Sequence, residues 1–308
     1  MAGLTAAHTL SDAGFGVTVL DKSPAVGGRM ATKRSEGASY DHGAQRFRAR
    51  SPEFRGVIDE WVSARVVRTW FDEERISQGV REPQARLIGV NGMRGIAEFL
   101  AEGLDVRTGI HASRVAVDDD SVVVLTDKGP VAAAAAIVTP PVPQTLALVD
   151  LDNDPALREE LAAVRYNACL AVMAKVGDTR SLPTGHATPD SRTIAWIADN
   201  QHKGVSRIPA VTIHSTPGFA GTHLESDPAE WVPMLVASAG EVLDTTIMDP
   251  ISHRWRYSEP QSTLGTGCAV LGGRAPIVLA GEAFSSPRVE GAYLSGLAAA
   301  RSVQERLG

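Results

Sequence analysis

Apolar and polar positions divide the chain into segments whose periods are clearest near its two ends. Residues 2–13 are rich in Ala, Leu and Thr and predict a helix that Gly14 stops. Val17–Leu20 is a short apolar run closed by Asp21, the pattern of a buried parallel strand. Ser51-Pro52-Glu53 opens a second helix, with Ser as N-cap and Pro at the first position. Phe54, Val57, Ile58, Trp61 and Val62 then form one apolar stripe, which assigns Trp61 to the core. Residues 66–90 predict irregular structure with short strands, and Met93, Ile96, Ala97 and Leu100 a further helical stripe ended by Gly103.

Arg114–Val117 and Val122–Thr126 read as strands joined by a hairpin tip at Asp118-Asp119-Asp120-Ser121, which accounts for this acidic run without a metal. Val131–Thr139 would be the third strand of that meander, closed by Pro140, Pro141 and Pro143. Asp154-Pro155 caps a helix through Val164, and Ala168–Val176, Thr193–Ala198 and Ala210–His214 are strand-like. Asp227-Pro228-Ala229-Glu230 starts a helix reaching Leu243. Alternation along His253-Arg254-Trp255-Arg256-Tyr257 puts the three rings on one face of a strand and both arginines on the other. Ile277–Ala280 is a buried-strand run, and a last helix runs from Val289-Glu290-Gly291-Ala292 to Leu307.

Composition narrows the class of protein. The 308 residues carry a formal charge of −6 with no basic block, which argues against general nucleic-acid binding. Arg46, Arg48 and Arg50 alternate and read as a solvated or phosphate-facing edge. Two cysteines, Cys169 and Cys268, with no C-x-x-C, fit a reducing compartment and exclude a disulfide framework or cysteine-rich zinc site. His186, His202, His214 and His223 lack metal-ligand spacing and read as surface or structural residues. No apolar run reaches membrane-spanning length and no signal-peptide pattern opens the chain, so the expectation is a cytoplasmic protein without nucleic-acid or membrane partners.

The candidate chemistry lies at the ends. Asp21 stands 18 positions after Gly3, close to the distance between the last glycine of a G-x-G-x-x-G turn and the acid that holds ribose hydroxyls. Gly27-Gly28-Arg29-Met30-Ala31-Thr32 follows; paired glycines let backbone approach a ligand, and an arginine there can fork onto phosphate. The strand and first two glycines of such a turn do not stand before Gly3, and Met1 falls on the first of the two free positions. The expectation is a start codon placed inside the turn of a longer native enzyme. The alternative is a shortened chain that binds no cofactor and is not catalytic.

Helix, strand, acid and G-G-R in this order, followed by Asp41-His42-Gly43-Ala44-Gln45, resemble the flavin amine oxidase superfamily and, within it, the renalase branch. The His253–Tyr257 run and the pair Gly281-Glu282-Ala283-Phe284 and Val289–Ala292 extend the resemblance to the C-terminus. It implies an α/β fold: a two-dinucleotide-binding, Rossmann-like FAD domain (1–50, 91–145 and 269–308) with an inserted substrate domain of mixed sheet and helix (51–90 and 146–268). It further implies noncovalent FAD held by Gly3, Asp21, Lys22, Gly27, Gly28, Arg29, Met30, Ala44, Val115, Gly281, Glu282, Val289, Gly291 and Ala292. Gln45 would lie near the ring, with His253 and Trp255 facing the substrate. The implied reaction is hydride transfer from a reduced nicotinamide nucleotide, a 2- or 6-dihydro form of NAD(P), to flavin, with O₂ as electron acceptor. An amine oxidase or desaturase on the same fold is the first alternative. A simple NAD dehydrogenase would leave G-G-R and the C-terminal return unexplained.

Overall fold

Helix α1 (Ala2–Asp12) packs Ala6 and Leu10 inward and is released at Gly14, whose φ of +88° suits a residue without Cβ. The computed structural model describes residues 1–77, 80–272 and 275–308. After α1 come β1 (Thr18–Asp21), a single 3₁₀ turn at Gly28–Met30, and the hairpin β2 (Thr32–Ser35) and β3 (Ala38–Asp41). α2 (Pro52–Ser63) begins as expected: the Ser51 hydroxyl accepts from the Phe54 amide at 3.3 Å. Phe54, Ile58 and Trp61 are buried, whereas Val62 is 45% exposed, one position too far round the helix.

The described part of 66–90 is not irregular but holds two long antiparallel strands, β4 (Val67–Ser77) and β5 (Val80–Gly89). Their charged residues conceal the alternation, and a register shift between Thr69 and Phe71 breaks the period further. Val67, Trp70, Leu87 and Ile88 nevertheless reach the core shared with α2 and with α3 (Met93–Ala101), which buries Met93, Ile96, Ala97 and Leu100.

Next come β6 (Asp105–Thr108) and the meander β7 (Ala112–Asp118), β8 (Ser121–Thr126) and β9 (Gly129–Ala133). The expected single strand over 131–139 is two. β10 (Ala136–Val138) leaves the meander and pairs in parallel with β17 (Ile277–Leu279). The run Ala132–Ala136 carries no large side chain that could mark this change of sheet.

α4 (Val142–Leu146) and α5 (Pro155–Ala163) lead into β11 (Tyr166–Val176), β12 (His186–Ala187), β13 (Ile194–Asp199) and β14 (Ala210–Ser215). α6 (Pro217–His223) and α7 (Pro228–Leu243) follow, then β15 (Ile247–Pro260) and β16 (Ala269–Leu271). After β17 a 3₁₀ turn at Glu282–Phe284 precedes α8 (Arg288–Leu307). β12, β13, β14, β11 and β15 form one five-stranded sheet in that order, backed by Trp231, Leu235 and Ala239 of α7.

The parallel strands fall into two separate groups. Among the described residues β1 pairs only with β6, while β10 pairs with β17, which pairs with β16. The other edges of β1 and β10 border one cavity, with α1 lining it between them. No helix among the described residues is long and apolar enough to cross a membrane.

Candidate active site

That cavity measures about 2860 Å³, well above the roughly 300–1,000 Å³ of an ordinary small-molecule pocket. Gly3, Asp21, Lys22, Gly27, Gly28, Arg29, Met30, Ala44, Gln45, Val115, His253, Trp255, Gly281, Glu282, Val289 and Ala292 all border it. Gly291 does not. A Cβ there would lie 1.7 Å from the Ser286 carbonyl oxygen, so Gly291 is needed for the tight approach of α8 to the turn before it.

Gly27 and Gly28 have φ of +121° and +51°, a turn that side chains with Cβ avoid. It delivers Arg29 to Glu282, 253 positions away. The guanidinium forks onto the carboxylate, with Nη2 donating to Oε2 at 2.6 Å and Nη1 to Oε1. Glu282 is buried, and the same Nη1 also reaches the Tyr257 and Ser258 carbonyls at 3.4 Å. Burial, reinforced by the Glu282 charge, pushes the neighbouring Tyr166 hydroxyl up to about 12. At the end of β1 the Asp21 Oδ1 accepts from the Ser23 amide at 2.8 Å, and Lys22 donates to Gln144 at 3.1 Å.

The segment 41–45 is held from three directions. Asp41 accepts from the Thr32 hydroxyl at 2.6 Å, the Met93 amide at 2.9 Å and Lys203 Nζ at 2.8 Å. Its carbonyl accepts from Thr212 at 2.9 Å and from Gln45 Nε2 at 2.6 Å. Gly43 closes against the 3₁₀ turn; a Cβ on it would sit 2.0 Å from the Arg29 carbonyl oxygen. Gln45 is thus a clamp on its own loop as well as a cavity residue.

The five-stranded sheet supplies the opposite wall. Register pairs Ala171 of β11 with His214 on β14 and with His253 on β15, so a small residue stands between two imidazoles. Trp255 Nε1 donates to the His42 carbonyl at 2.8 Å, and His214 Nε2 lies 2.9 Å from the same oxygen. The His42 ring stacks on Trp255, with centroids 5.3 Å apart, and meets His253 edge-on at 4.7 Å. Burial pulls His42 and His214 down to about 4; neighbouring imidazoles add to the effect on His42. His253 is also lowered, mainly by burial. At neutral pH these three imidazoles are therefore uncharged. The His42 Nδ1 is buried and has no hydrogen-bond partner among the described residues.

The sequence reading missed three residues here. His42 lay inside a motif valued for Ala44 and Gln45. His214, one of the scattered histidines expected at the surface or in a structural role, borders the cavity; the alternation of β14 with Thr212 is the signal that places it. Lys203, fully buried beneath Gln45 and Asp41, has no local sequence signal because its partner is 162 positions away.

The residues present fit an FAD-type dinucleotide. Ala2, Gly3 and Leu4 bring the first, unpaired amides of α1 to the cavity, a site that favours phosphate. Gly3 packs close to Thr139, where a Cβ would lie 3.1 Å from the hydroxyl, and so keeps the helix start near the end of β10. Asp21 offers a carboxylate for ribose hydroxyls, and the Gly27–Gly28 turn leaves room beside Arg29.

The sequence profile of the flavin containing amine oxidoreductase family matches residues 1–81. Solved structures match nearly the whole chain. Cyclohexylamine oxidase from Brevibacterium oxydans IH-35A superposes with a TM-score of 0.76 at 11% identity, covering 99% of this chain and 97% of that one. Wild-type putrescine oxidase bound to putrescine gives 0.72 at 15%, with 99% and 97% covered. A CLA-producing fatty acid isomerase from P. acnes gives 0.66 at 12%, with 100% and 96% covered. At these identities the likeness establishes the fold: a mixed α/β architecture with the Rossmann-like FAD domain of amine oxidase-type structures.

Proposed function

We propose that this chain is an FAD-dependent oxidase whose substrate is a reduced nicotinamide nucleotide, a 2- or 6-dihydro form of NAD(P). When bound, FAD would take a hydride from the substrate and return the electron pair to O₂ as H₂O₂. Asp21 would hold the ribose of FAD, the start of α1 at Gly3 its phosphates, and Gly27, Gly28 and Arg29 its approach, with Glu282 fixing the arginine. Ala44 and Gln45 would lie against the ring, and His253 and Trp255 would face the substrate. Neither cysteine borders the cavity, and burial pushes the Cys169 thiol up to about 12, which supports noncovalent FAD.

The observation that carries the substrate reading is the uncharged rings of His42, His214, His253 and Trp255, with the unpartnered Nδ1 of His42. A dihydronicotinamide is a neutral ring that is already a hydride donor, and its carboxamide N–H can answer that nitrogen. Such chemistry asks the protein for orientation rather than for an acid or base. An amine oxidase would call for paired aromatics around a neutral amine, whereas Trp255 here is stacked on His42.

The test is turnover under O₂ by the FAD-loaded protein, comparing 2- and 6-dihydro-NAD with a panel of primary and secondary amines. Peroxide formation with the dihydro-NAD isomers alone is the expected result. Turnover of amines with none of the dihydronicotinamides would replace this reading with the amine oxidase one.

A further inference from the structure

The alternating arginines after Gln45 play no part in the scheme above. Phe47 bridges Leu87 in an antiparallel pair and both side chains are buried, so Arg46 and Arg48 stand on the opposite face, beside Arg86 of β5. Arg50 and Arg288, the first residue of α8, complete a group of five that borders the same cavity. Among the described residues, three carboxylates touch it. Glu73 pairs with Arg86, Glu259 accepts from Arg288 at 2.9 Å, and Glu290 is engaged by the Arg50 and Ser51 amides at 2.7–3.1 Å.

Two features set this group apart from a solvated charged edge. Arg86 is 6% exposed, yet its Nη1 is buried with no hydrogen-bond partner among the described residues. Arg46 Cζ lies 3.9 Å from the centre of the Trp196 ring, which keeps the guanidinium partly out of water. Burial, with repulsion from the neighbouring arginines, draws both Arg46 and Arg86 down to about 10, so they stay charged at neutral pH.

We propose that Arg46, Arg86 and Arg288 form a binding site for the diphosphate group of the substrate. Guanidinium forks match phosphate oxygens in pairs, and a diphosphate supplies enough acceptors to answer Arg86 Nη1 together with Arg46 and Arg288. The identity of the substrate rests on the oxidase reading above; the anion site does not.

The experiment titrates inorganic pyrophosphate into the FAD-loaded protein by calorimetry, with propionate as the carboxylate probe. Arg86→Met and Arg46→Gln are compared with the unsubstituted chain. Arg46→Gln removes a half-buried charge on the cavity face and guards against a folding failure at Arg86. Pyrophosphate is expected to bind one to one, at least tenfold more tightly than propionate, and to weaken at least tenfold in each folded variant and at raised ionic strength. Equal affinity in Arg46→Gln, or propionate binding as tightly as pyrophosphate, overturns the site.

The two proposals fail separately. If pyrophosphate behaves as expected but no dihydronicotinamide is oxidised, the anion site stands and the substrate reading falls. If dihydronicotinamide riboside is oxidised with the same KM as the dinucleotide, the substrate chemistry stands and the diphosphate site falls.

Discussion

Lys203 Nζ lies 2.8 Å from the Asp41 carboxylate, and neither side chain has any exposure to solvent. The pair joins the segment leading into the cavity wall to the loop after β13. Burial lowers Lys203 from its ordinary value, while the Asp41 charge opposes that shift. Such a pair stabilises only while both members are present. Lys203→Met is expected to cost about 3–5 kcal/mol by leaving Asp41 buried and unneutralised. Adding Asp41→Asn should return part of that loss, read as a partial recovery of the urea midpoint at unchanged slope.

Acid should weaken the protein through its histidines. His42 and His214 have folded values of about 4, against roughly 6.5 in an unfolded chain. Above about pH 6.5 both states hold these rings neutral, and stability is at its full value. Between there and about pH 4 the unfolded chain takes up protons that the fold refuses, so stability falls by up to about 1.4 kcal/mol per pH unit for each histidine. Denaturation midpoints measured across this window should show the loss, and His214→Asn should flatten it.

Gly43→Ala tests the closeness of the 41–45 segment to the 3₁₀ turn. The added methyl would meet the Arg29 carbonyl oxygen at 2.0 Å and Trp255 at 3.2 Å, and backbone cannot swing aside as a side chain can. The variant is expected to lose about 1–3 kcal/mol or more. It should also release FAD more readily, seen as free-flavin fluorescence after gel filtration.

Arg29→Lys is not a conservative change in this setting. The guanidinium answers both oxygens of a buried carboxylate, and a lysine ammonium cannot reproduce that fork. Arg29 is partly exposed, which moderates the cost, and about 1–3 kcal/mol is expected for either Arg29→Lys or Arg29→Met. Near-equal melting temperatures for these two variants would bear this out, while full rescue by lysine would contradict it.

The helices were legible wherever a cap and a stripe coincided, as at Ser51-Pro52 with Phe54, Ile58 and Trp61. β4 and β5 were not, because their charged residues hide the alternation, and β10 was not, because an alanine run has no pattern to break. Most residues singled out for the cavity do border it, since glycine turns and a strand-ending acid leave local marks. What joins them is not local. Arg29 finds Glu282 across 253 positions, and the facing of His214 and His253 depends on a register set by three strands. Contacts of that length follow from the folded topology and leave no periodic trace.

The strand order of the five-stranded sheet has a consequence for hydrogen exchange. Amides slowest to trade their protons ordinarily belong to mid-sheet strands, screened on both flanks. β11 lies between β14 and β15, and β14 between β13 and β11. Deuterium should therefore reach Val172 and Ile213 late, after it has entered the edge strand β12 at His186 and Ala187.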